Sequence, residues 1–138
     1  MTRVPYFTQS ALTQLRDVCR RDARLVALYA FDLRRRGDCD LATLFTRTPP
    51  WADRLDLELA MAKALGRETV ELIDLRRMPL VARFDVVNRG EPIYVGKADA
   101  LAMFIEETVV RYAAFYPLLE ALYWKVETVP LAEDKLQE

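Results

Sequence analysis

The sequence predicts an α/β protein: a mixed β-sheet of about four strands, packed with helices and followed by a long C-terminal helix. Three observations carry this. Apolar residues alternate between helical and extended spacing in the order α-β-β-α-β-α-β-α. Two predicted strands abut with only a short polar connection between them, which a wholly parallel sheet does not allow. The 138 residues, 52% apolar and 30% charged, suffice for one domain with a substantial core.

The first helix is expected over Thr8 to Arg21, where Leu12, Leu15 and Cys19 recur at helical spacing and Ser10 can cap the start. Arg24 to Phe31 is a nearly continuous apolar run, the pattern of a strand covered on both faces. After the polar connection of Asp32 to Asp38, Cys39 to Phe45 reads as a second strand. Pro49-Pro50 introduces a helix over Trp51 to Leu65, with Leu55, Leu59, Ala62 and Leu65 as its stripe, Leu57 and Met61 beside it, and Gly66 as its stop. Glu68 to Leu75 alternates as a third strand. Pro79 to Arg89 is open between a strand, from its β-branched residues, and a short helix, from Pro79 and Gly90 at its ends. Glu91 to Val95 is a fourth strand. The last helix is expected from Ala98 to about Val126, burying Leu101, Phe104-Ile105, Thr108-Val109, Tyr112, Phe115-Tyr116, Leu119 and Tyr123. The polar tail after Pro130 is expected to fray. No repeat or linker divides the chain, so residues 1–138 form one domain.

Composition narrows the chemistry. Histidine is absent, which removes Ser-His-Asp and Cys-His catalysis and every histidine metal site. Two cysteines, Cys19 and Cys39, are too few for a disulfide framework or a cysteine zinc site, and both read as small core residues. Arginine outnumbers lysine 16 to 4, yet the net charge is −1, so there is no overall nucleic-acid footprint. The first residues lack the apolar run of a signal peptide, and no stretch is apolar enough to span a membrane; a cytoplasmic protein is expected.

The feature best suited to chemistry is Gly37-Asp38-Cys39-Asp40-Leu41, where the second strand begins. Residues i and i+2 of a strand point to one face, so Asp38 and Asp40 project together. Two such carboxylates can hold Mg²⁺ and a triphosphate for phosphoryl or nucleotidyl transfer. Glu71 can supply a third acid from a neighbouring strand. Asp74 competes for that place but faces the other way by parity. A solvated turn is the competing reading of the whole motif. Arg76-Arg77 reads either as a nucleotide or partner contact or as a charged strand end. The terminal helix carries more apolar surface, at Phe115, Tyr116, Leu118 and Trp124, than one buried stripe needs, which points to a protein interface or a homo-oligomer.

Leu28-Tyr29-Ala30-Phe31, a basic loop, and Asp38-Cys39-Asp40-Leu41-Ala42-Thr43-Leu44-Phe45 together resemble the minimal nucleotidyltransferases of the DNA polymerase β superfamily, and in particular the MNT antitoxins paired with HEPN toxins. The likeness continues through Leu57-Glu58-Leu59, Gly66-Arg67-Glu68, Val70-Glu71-Leu72-Ile73-Asp74-Leu75, Arg83-Phe84-Asp85-Val86-Val87 and Gly90-Glu91-Pro92-Ile93-Tyr94 into the final helix. It implies a nucleotidyltransferase-like fold, a HEPN ribonuclease toxin as partner, and a site in which Asp38, Asp40 and Glu71 hold Mg²⁺ and ATP. In that family a Gly-Ser pair closes the first strand and grips the phosphates. Here Asp32-Leu33 stands in its place, the loop from that pair to Asp38 is shortened, and the family's third aspartate falls at Glu71. Glycine lets backbone approach phosphate and serine adds a hydroxyl, whereas Asp32 brings a negative charge. Arg34, Arg35 and Arg36 could compensate as phosphate-binding forks. The resemblance therefore implies an antitoxin that neutralises its toxin by binding, with nucleotidyl transfer weakened or lost. The alternative is an active enzyme moving AMP from ATP to a protein tyrosine or another hydroxyl.

Overall fold

The structure, a computed structural model, describes residues 7–32 and 40–137, with side-chain surroundings as far as residue 122. Helix α1 (Gln9–Arg20) leads into strand β1 (Leu25–Phe31) and strand β2 (Asp40–Phe45). Helix α2 (Trp51–Leu65), strand β3 (Leu72–Asp74) and a 3₁₀ turn (Leu75–Arg77) follow. Helix α3 (Leu80–Arg89), strand β4 (Glu91–Val95) and helix α4 (Ala98–Gln137) complete the chain. The order is the expected one. The four strands form one sheet in the order β3-β2-β1-β4, with β1 antiparallel to both β2 and β4, and β2 parallel to β3. The parallel pair exists because α2 carries the chain back across one face of the sheet.

The sheet separates two cores. On one face Leu25, Leu28, Ala30, Leu41, Phe45 and Leu72 pack with Leu12 and Leu15 of α1 and Leu57 and Met61 of α2. On the other, Val26, Tyr29, Phe31, Ala42 and Leu44 pack with Val86 of α3 and Leu101 and Phe104 of α4. All seven residues of β1 are buried, because β1 is central and covered on both faces. The edge strands are closed by side chains from the helices. Glu58 and Arg54 of α2 bond to Leu72 N–H (2.9 Å) and Leu72 C=O (3.4 Å) of β3, and Arg16 of α1 donates to Ile93 C=O of β4 at 2.7 Å. These bonds occupy main-chain groups that another strand would otherwise pair with.

Several local expectations change. The cap of α1 is Thr8, whose hydroxyl accepts from Ala11 N–H at 3.1 Å, and Ser10 lies inside the helix. α2 has the expected ends, with Gly66 in the left-handed conformation at φ 67°, but it buries Leu57, Met61 and Ala62 while Leu59 stays 55% exposed. Rotating α2 this way also turns Arg54 and Glu58 toward the β3 edge. β3 is only Leu72–Asp74, because Leu75 to Arg77 curls into the 3₁₀ turn and Glu71 precedes the strand. The open segment from Pro79 is a helix, with Pro79 as its N-cap residue. α4 runs on past Val126 to Gln137.

Gly90, between α3 and β4, has ordinary backbone angles but no room for a side chain. A Cβ there would lie 2.5 Å from Val86 O and 3.2 Å from the Tyr29 ring. The chain at the end of α3 thus passes close to Tyr29 of β1.

Cys19 is fully buried, and burial pushes its thiol up to about 12. A thiol held neutral in a close-packed core is inert. We therefore expect native protein to leave Cys19 unmodified by iodoacetamide at pH 8, with labelling appearing only after unfolding in guanidinium; labelling of folded protein, read by peptide mass, would contradict the packing.

Candidate functional site

The expected site lies where β1 ends and β2 and β3 begin. Asp40, the first residue of β2, is half-buried and is the register partner of Phe31, the last residue of β1. Directly opposed residues of an antiparallel pair leave the same face, so Asp40 and Phe31 share the α3/α4 side of the sheet. On the other flank the parallel register pairs Leu41 with Leu72 and Ala42 with Ile73. Glu71, exposed, immediately precedes β3, and Asp40 and Glu71 have the parity of Ala42 and Ile73. By that parity, two of the three expected carboxylates belong to the same face at neighbouring strand ends.

Asp74, the competing acid, is committed elsewhere. It is buried, with one carboxylate oxygen accepting from Thr48 Oγ1 at 3.1 Å and the other from Arg76 N–H at 3.0 Å. It caps the 3₁₀ turn on the opposite side of the sheet from Glu71. Arg76 is also structural: its Nε donates to Phe45 C=O at 3.0 Å and its guanidinium lies 5.5 Å from the centre of the Phe104 ring. Asp38, Arg34, Arg35 and Arg36 lie outside the described residues, as does Cys39. Among the described residues no three carboxylates converge. Asp40 and Glu71 are hard oxygen donors of the kind Mg²⁺ takes, so the donor set fits that ion.

The structure adds a residue that sequence reasoning passed over. Arg89, in the last turn of α3, forks onto Asp85 with both contacts at 2.6 Å, and its guanidinium carbon lies 5.3 Å from the centre of the Phe31 ring. The hydrogen bonds to Asp85 push its pKa up; desolvation opposes them, and the charges of Asp85 and then Asp32 add to the rise. A cation therefore sits at the end of β1, near Asp32 and on the same face as Asp40. In sequence Arg89 looks like any basic residue completing a helix C-terminus, and nothing nearby in the chain signals Phe31.

Helix α4 departs from a single buried stripe. Leu101, Phe104 and Thr108 are buried, and Tyr112 stacks on Phe84 of α3 at 3.9 Å between centroids. Met103 (71% exposed), Val110, Tyr116 and Leu118 are open. Of the apolar excess expected on this helix, Tyr116 and Leu118 are exposed, Phe115 is half-buried, and the Trp124 side chain lies outside the described surroundings.

A central four-stranded mixed sheet with helices on both faces and a long C-terminal helix is the nucleotidyltransferase-like architecture. The chain has, more narrowly, the fold of the MNT antitoxins, as solved structures show. It is similar to a chain of the MntA–HepT toxin–antitoxin crystal structure, at 25% identity and a TM-score of 0.66, covering 87% of this chain and 99% of that one. It is similar to the same degree, 25% and 0.66, to a chain of the complex of a tri-AMPylated Shewanella oneidensis HEPN toxin with its MNT antitoxin, covering 86% and 98%. A toxin–antitoxin structure with AMP-PNP shares the fold at 24% identity and a TM-score of 0.63, covering 84% and 98%. No protein-family model and no curated protein matches the sequence. Among the described residues, no helix is long and apolar enough to cross a membrane.

Proposed function

We propose that this chain is an MNT-type antitoxin that binds and neutralises a HEPN ribonuclease toxin in the cytoplasm, with nucleotidyl transfer weakened. The observation that carries the reading is the MNT fold over 87% of the chain, at 25% identity to a protein solved in a toxin–antitoxin pair. The open apolar residues of α4 supply surface for a protein partner. Weakened transfer is supported by the sequence, in which Asp32-Leu33 stands where the resembled family has its phosphate-gripping Gly-Ser pair.

A second reading, retained transfer of AMP from ATP to a tyrosine or other hydroxyl, is favoured by the parity that assigns Asp40 and Glu71 to the same face. In that case Asp40 and Glu71, with Asp38, would hold Mg²⁺, which supplies charge neutralisation at the phosphates. The AMPylated toxin in one similar complex is compatible with this reading.

The experiment is co-expression with a HEPN-type protein encoded by an adjoining reading frame. Growth arrest by that protein alone, relieved by this chain together with a stable complex on gel filtration, is the expected result. An adjoining frame with no such protein, or arrest that this chain does not relieve, would overturn the proposal.

A further inference from the structure

We infer that Arg89 is a phosphate-binding residue of this chain, taking over part of the grip that a Gly-Ser turn would provide. The inference rests on the nucleotide site read above at Asp40 and Glu71, and it adds a group from a different element, α3.

Four observations place a phosphate ligand there. Arg89 lies over Phe31, whose register partner is Asp40, so its charge is on the face and at the end of the sheet where the carboxylates project. Asp85 takes Nε and one Nη2 hydrogen, which fixes the plane of the fork, while Nη1 has no hydrogen-bond partner among the described residues. The side chain is 41% exposed, so that outer edge can be reached from solvent. Gly90, the next residue, leaves so little space that a Cβ there would lie 3.2 Å from the Tyr29 ring, so the chain that carries Arg89 runs close against β1. A guanidinium oriented in advance in this way matches phosphate oxygens, and ordering it costs a ligand little. An ordinary i,i+4 surface pair would need neither the aromatic platform nor the close approach to β1.

The chemical class of the ligand is a nucleoside triphosphate bound with Mg²⁺. A metal held by the carboxylates would place the phosphates within the same corner of the sheet, where Arg89 is the cation that the fold itself positions.

The test is calorimetric titration of the purified chain with Mg²⁺–ATP, run for the native protein, Arg89→Ala, Arg89→Lys and, as a control for loss of a surface arginine, Arg111→Ala. Thermal melts check that each variant is folded. Arg111 pairs with Glu107 on α4 in an exposed i,i+4 bridge, so its removal should leave binding unchanged. Arg89→Ala should weaken binding about tenfold or more, the size of one lost charge-assisted contact. Arg89→Lys should recover part of that loss, and the Arg89→Ala affinity should depend less steeply on salt. Binding unaltered in a folded Arg89→Ala protein would overturn the role of Arg89 and leave the carboxylate site standing. No binding by the native protein at millimolar ATP would overturn both.

Discussion

Changing Asp38→Asn and Asp40→Asn together is expected to abolish metal-dependent binding of ATP while the protein still melts cooperatively. The effect should be large because both changes remove charge directly from the metal's ligands. Even partners that only orient such ligands are worth about 10- to 100-fold. Asp40 stands at the first position of β2, half-buried at the rim of the sheet. Asp74→Asn gives the opposite pattern. It weakens the cap of the 3₁₀ turn and the Thr48 contact, so it should lower stability and leave nucleotide binding alone. ATP binding that survives in the double variant would place the nucleotide elsewhere. Loss of binding in Asp74→Asn at full stability would make Asp74 the third acid in place of Glu71.

Phe45→Ala should be the most damaging single change to the fold. Phe45 is 1% exposed at the end of β2 and is among the largest fully buried side chains. It packs in the cluster that joins the sheet to α1 and α2. Truncation of a buried phenylalanine costs about 3–5 kcal/mol, through lost transfer energy and the cavity left behind. In a domain of this size that lowers the melting temperature by roughly 10–20 °C. Phe45→Leu, which keeps most of the volume, should cost about 1–1.5 kcal/mol. Equal losses for the two variants, measured by urea denaturation, would mean that the ring is not packed as described.

Much of this architecture is legible in the chain, and the parts that are not have specific causes. The boundaries of α2 and β4 follow from local signals: Pro50 and Gly66 bracket the helix, and Gly90 and Gly96 bracket the strand. The buried face of α2 does not follow from such signals, because Leu55 and Leu59 are as apolar as Leu57 and Met61. The choice is made by the β3 edge, which Arg54 and Glu58 close from the same helix. β3 is shorter than its alternating pattern suggests because Asp74 caps a turn at once, and that cap depends on Thr48 from a distant loop.

The acid pair is half legible. Strand parity separates Glu71 from Asp74 but does not choose between them; the choice needs the parallel register of β2 and β3 and the hydrogen bonds that occupy Asp74. Arg89 is not legible at all. Its place at the site depends on a fold that brings the end of α3 onto the end of β1, and its contact with Phe31 spans most of the sheet's connectivity. The family resemblance supplies the fold, which the similar solved structures share, and it is the source of the expectation for the carboxylates.

The central claim, neutralisation by binding, is tested most directly by co-expressing the Asp38→Asn/Asp40→Asn protein with the adjoining HEPN-type toxin, scoring growth and measuring the intact mass of the toxin. Growth restored as well as by the native chain, with the toxin's mass unchanged, is the predicted result. Growth restored only by the native chain, with an AMP-sized mass increase on the toxin that the double variant lacks, would contradict it and establish transfer as the means of neutralisation.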